Sequence, residues 1–84
     1  MRRWIEQPGP LPNGVARAWF AVEQEIAWCG IFQLTSMGHF ILAYHKAGEP
    51  NAITEKLVSF DQAQERAIVV LNQGGLIPRK SFLG

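Results

Sequence analysis

The chain has 84 residues, with 8 Lys and Arg against 7 Asp and Glu, a net charge of +1; 48 % of it is hydrophobic and 18 % charged. That balance excludes a disordered chain and indicates one small packed domain, for which association with a partner offsets a small core. A lone Cys29 excludes a disulfide framework, and every apolar run is interrupted well short of the roughly 20 residues a membrane span needs. Met-Arg-Arg-Trp opens the chain, but Glu6 and three prolines stand where a signal peptide has its apolar stretch, so a cytoplasmic protein is expected.

Charge is unevenly distributed. Arg2, Arg3, Arg79 and Lys80 lie at the ends, and between them four cations face all seven acids, a net −3. The basic ends are candidate contacts for phosphate or an acidic partner, whereas the acidic body argues against nucleic acid as the main ligand.

Residues 1–12 read as an extended arm, with Trp4 and Ile5 as anchors and Pro8-Gly9-Pro10-Leu11-Pro12 as a stiff connector. Residues 13–76 form the domain and 77–84 a tail. Asn13 is positioned to cap a helix on which Val15, Trp19, Val22, Ile26 and Cys29 recur in steps of four and three, with Gly30 as its stop. A strand through Ala16, Ala18, Phe20 and Val22 is the alternative. A hairpin of Ile31–Thr35 and His39–His45 follows. A Ser36-Met37-Gly38 loop pairs Leu34 with Phe40 and Phe32 with Leu42, placing Phe32, Leu34, Phe40, Leu42 and Tyr44 on one face.

Lys46–Ala52 carries the turn residues Gly48, Pro50 and Asn51, and Ile53–Val58 reads as an edge strand. Ser59-Phe60-Asp61-Gln62 has the shape of a capping box. The helix after it buries Ala63, Ala67, Ile68, Val70 and Leu71 and closes at Asn72-Gln73-Gly74, with Leu76 packing behind the stop. The expected fold is a small two-layer α+β domain ordered helix, three-stranded antiparallel sheet, helix, with extended arms at both ends.

Catalytic groupings are sparse. His39 and His45 are separated by roughly 20 Å of strand, too far to share a metal ion. Cys29 falls on the buried stripe, Glu23 and Glu25 face different directions on a helix, and Gly74-Gly75 lacks a phosphate-binding context. No enzyme, cofactor or metal is therefore expected. The candidate partner site is the other side of the first helix, where Phe20, Gln24 and Trp28 line up beside Arg17, residue types enriched at binding hot spots. That stripe serves a protein partner or a homodimer, or else lies under the terminal arms as a second small core.

The order helix, three strands, helix over residues 13–74 resembles the double-stranded RNA-binding domain, which implies nucleic-acid binding as the alternative function. That family has a lysine-rich cluster at the start of its second helix, where this chain has Ser59-Phe60-Asp61-Gln62-Ala63-Gln64. The leading expectation is a small non-enzymatic protein-binding regulator or inhibitor that occupies a site on a larger complex. An anti-defence inhibitor of a phage or mobile element is one example.

Overall fold

A computed structural model describes residues 3–36 and 38–78. It contains five strands, β1 (Arg3–Glu6), β2 (Val15–Glu23), β3 (Ile26–Leu34), β4 (Phe40–Tyr44) and β5 (Ile53–Leu57), then one helix, α1 (Phe60–Gln73). The strands form a single antiparallel sheet in chain order, and α1 packs on one face over β3, β4 and β5. The α+β class holds, but the helix–three strands–helix order does not, and the likeness to the double-stranded RNA-binding domain falls with it.

The first expected helix is instead the β2–β3 hairpin. Its turn is Gln24-Glu25, both with positive φ (56° and 64°), flanked by the pair Glu23 and Ile26. Two positive φ values in a two-residue loop match the twist of the strands they join. The segment misleads because it is apolar on both faces. Such a run satisfies a helical period and a strand alternation equally, as strands covered on both sides do. Gln and Glu also give no turn signal of the Asn-Gly kind. Gly30, expected as a helix stop, lies inside β3, and Asn13 sits in the turn before β2, where Val15 N donates to Pro12 O and Gly14 has φ +88°.

The β3–β4 register differs by one residue from expectation. Gln33 faces Phe40, Phe32 faces Ile41 and Ile31 faces Leu42. The expected face therefore splits: Phe40, Leu42 and Tyr44 turn toward α1, and Phe32 turns away from it. The expected register is favoured only when one face of the hairpin is polar. Here Phe32, Ile41 and Ala43 form part of a second apolar cluster, so hydrophobicity does not select between registers. Of the expected loop, Met37 lies outside the described residues.

Between sheet and helix lies the main core of Ala21, Cys29, Ile31, Leu42, Tyr44, Ala63, Ala67 and Val70. Fully buried side chains such as Ile31 and Leu42 contribute about 1.5–3 kcal/mol each. The alanines of α1 let its backbone approach the sheet. Ser59 Oγ accepts from Gln62 N at 3.1 Å and Asp61 sits in the first turn, as the capping pattern predicts. Gly74, with φ +75°, ends the helix. Ile68 is not on the buried side, being about 100° around the helix from Ala67, and it is half exposed like Val69. Beyond Gly74 the chain returns to the end of β4, where Ala47 N donates to Gly75 O, Ile77 N donates to His45 O, and Leu76 packs on the core.

The opposite face carries a smaller cluster of Ala18, Phe20, Ala27, Phe32 and Ala43, with Leu11, Val15, Val22 and Ile41 packed against it. Leu11 comes from the proline-rich connector, and no helix among the described residues lies over this face.

Candidate protein-contact surfaces

The four residues expected on one stripe are dispersed by the hairpin. Arg17 points to the α1 side of the sheet, where its guanidinium lies 4.8 Å from the ring centroid of Trp19. Its Nε and Nη2 donate to the Glu6 carboxylate at 2.9 and 2.7 Å, joining β1 to β2. Those hydrogen bonds hold the Glu6 carboxyl below, and the Arg17 guanidinium above, their ordinary pKa. Phe20 faces the other side, 5 % exposed, edge-on to Phe32 with ring centroids 6.0 Å apart. Gln24 is exposed at the turn.

Trp28 is the extra residue of a bulge, since Ala21 pairs with Cys29 while Val22 pairs with Ala27. Its Nε1 is buried without a hydrogen-bond acceptor. A homodimer through the first helix has no such helix to run through. Arg3 is exposed on β1, whereas Arg2, Arg79 and Lys80 lie outside the described residues.

Three groupings have no counterpart in the sequence pattern. First, Trp4, Trp19, Phe40 and Phe60 meet at the start of α1, with Trp19 and Phe60 at 4.5 Å. Second, Glu55 accepts from Arg66 Nε at 2.6 Å, from Arg66 Nη2 at 3.2 Å and from Tyr44 Oη at 2.6 Å. Arg66 lowers the Glu55 pKa, and burial, with Glu55 beside it, raises that of the Tyr44 phenol. A phenol held protonated by an anion is a structural donor and a poor nucleophile.

Third, a cavity of about 120 Å³ opens between the β2–β3 hairpin and the end of α1, lined by Glu23, Trp28, Leu71, Gly74, Gly75 and Leu76. Its two halves are separated by more than 40 residues of chain, so no local motif announces it. A second hollow, lined by Arg3, Val22, Gln24 and Glu25, lies at the hairpin turn.

Among the described residues no three His, Cys, Asp or Glu side chains converge as metal ligands, and no helix is long and apolar enough to cross a membrane. Comparisons with protein-family models, curated proteins and solved structures found no match.

Proposed function

We propose that the protein is a small non-catalytic module that binds another protein, a regulator or inhibitor that works by occupying a site on a larger complex. The supporting observation is the sheet face away from α1. An antiparallel sheet that presents one face to water normally makes that face polar. Here Phe20, Phe32 and Ala43 at its middle are at most 9 % exposed, and the accessible apolar side chains are the half-buried Val22 and Ile41 and, on β1, Ile5, which is 37 % exposed. Apolar side chains left at the surface around a small core suit a protein contact. Arg3 and Lys56, exposed on the two outer strands, suit a partner with an apolar centre and acidic edges.

Affinity capture from a host lysate tests this reading, using the wild type and an Ile5→Lys/Ile41→Lys variant, each with and without nuclease. Both positions are partly exposed, so the variant is expected to fold. A protein partner is expected with the wild type, insensitive to nuclease and lost with the variant. Retention by the variant overturns the assignment of the face, and loss on nuclease treatment overturns the protein-binding reading.

A further inference from the structure

The outer edge of β1 has a pairing geometry of its own. β1 is the first strand of the sheet, and among the described residues only β2 pairs with it. Arg3, Ile5 and Glu6 are exposed and Trp4 is half-buried. Gln7 N donates to Ala18 O at 2.8 Å. Backbone direction alternates along an antiparallel strand, so Arg3 and Ile5 also turn their N–H and C=O groups toward β2. Trp4 and Glu6 turn theirs outward. Pro8, next in that outward series, has no N–H, which limits the open edge to these two residues.

Side chains alternate as well. Trp4 lies edge-on to Phe60 of α1, so Ile5 faces the opposite side of the sheet. There it ends a row that crosses the sheet: Ala43 faces Gly30, Gly30 faces Phe20, and Phe20 faces Ile5. At the end of that row Ile5 is 37 % exposed.

A second copy of this chain completes both patterns. A two-fold axis through Ile5, perpendicular to the sheet, sets the copy antiparallel to β1. Trp4 then faces Glu6 of the copy, and Glu6 faces its Trp4. Each such pair exchanges both backbone hydrogen bonds, which uses every outward group of the edge. Ile5 meets Ile5 across the axis as a non-hydrogen-bonded pair, the closer kind, and the apolar row continues into the copy. Arg3 faces Gln7, so no like charges stand opposite one another. We infer that β1 is a self-association edge, through which two copies join their sheets into one of ten strands. Both α1 helices stay on one side, and the two apolar faces lie side by side on the other. The edge is short, so the interface is at the small end of the range and the dimer is weak. The inference goes beyond the protein-binding reading and is tested on the purified chain alone.

Sedimentation equilibrium of the full chain, from dilute to near-millimolar protein, is expected to show a monomer–dimer equilibrium. Amide hydrogen exchange at Trp4 and Glu6 is expected to slow as the dimer forms, and more than at Ile5 and Gln7, which already face β2. Ile5→Lys sets two ammonium groups opposite each other and is expected to weaken the dimer about tenfold. Ile5→Cys gives a second readout, because a non-hydrogen-bonded pair has its Cα atoms about 4.5 Å apart, within disulfide range. It is expected to form a disulfide-linked dimer on mild oxidation. Arg3→Cys is not, since its counterpart in the copy lies roughly 14 Å away. Cys29 is buried and takes no part.

A chain that stays monomeric overturns the inference, as does a dimer that leaves the Trp4 and Glu6 amides unaffected or survives Ile5→Lys undiminished. Equal cross-linking from Arg3→Cys overturns it too. Protection of the two amides at every dilution does the same, because another segment of the chain then holds the edge. The two proposals fail separately. A captured partner with a monomeric chain removes the edge alone, and a dimer with no captured partner removes the functional reading alone.

Discussion

Phe20 on β2 stands directly opposite Gly30 on β3, and a Cβ on that glycine would lie 3.2 Å from the Phe20 ring and 3.0 Å from Cζ of Phe32. The missing side chain lets the two rings meet edge to face and bury each other on the side of the sheet away from α1. Gly30→Val is therefore expected to destabilise the fold by about 2 kcal/mol, the scale of overpacking a core. A lower urea midpoint with unchanged slope measures it, and stability equal to wild type shows that this face is not a packed core.

The Gln24-Glu25 turn holds two ordinary residues in the left-handed region, which favours Gly and Asn. Replacing the pair with Asn-Gly is expected to stabilise the protein by about 1 kcal/mol. Thermal denaturation reads the gain. A loss of stability instead means that Gln24 or Glu25 makes contacts worth more than the strain.

Glu55 links β5, β4 and α1 through Tyr44 and Arg66. Its folded pKa lies below the ordinary 4.5, so its stabilisation is present above that value and is lost as pH falls through the lower, folded pKa. Tyr44 titrates in the opposite sense. Its folded pKa is raised above 10.0, so its contribution is present below pH 10.0 and is lost as pH rises through the folded value. Arg66→Ala is expected to move the Glu55 carboxyl pKa upward and to shift the acid limb of the stability curve to higher pH. A carbon-detected NMR titration of Glu55 that shows no upward movement contradicts the geometry.

Ser59 caps α1 through a single hydrogen bond to Gln62 N. Ser59→Ala is expected to cost about 1 kcal/mol, and Ser59→Asp to retain most of the stability. Urea unfolding of the two variants separates the cap from a mere loss of side-chain contact, because only the cap is restored by aspartate.

The elements specified by the sequence alone are those with local chemistry. Ser59 and Gln62 start α1 and Gly74 ends it, each by a side-chain or backbone property that needs no distant partner. Ile53–Leu57 is bounded by Pro50 and Asn51 on one side and by the cap on the other, and its alternation survives in the structure. Residues 15–34 lack such markers. Apart from Arg17, Gln33 and the polar Glu23-Gln24-Glu25 run, their side chains are apolar on both faces of a strand as well as along a helical stripe, so the pattern does not choose between helix and strand.

Tertiary structure settled that choice. As strands, these residues supply the middle of a five-stranded sheet, give α1 a floor of Ala21, Cys29 and Ile31, and bring Phe20 over Gly30. The same choice dispersed Arg17, Phe20, Gln24 and Trp28, and it built the cavity from Glu23 and Trp28 on one side and Leu71 to Leu76 on the other. Side-chain pattern specifies a local conformation when only one face can be buried. Where both faces are apolar, the conformation is set by what the rest of the chain packs against them.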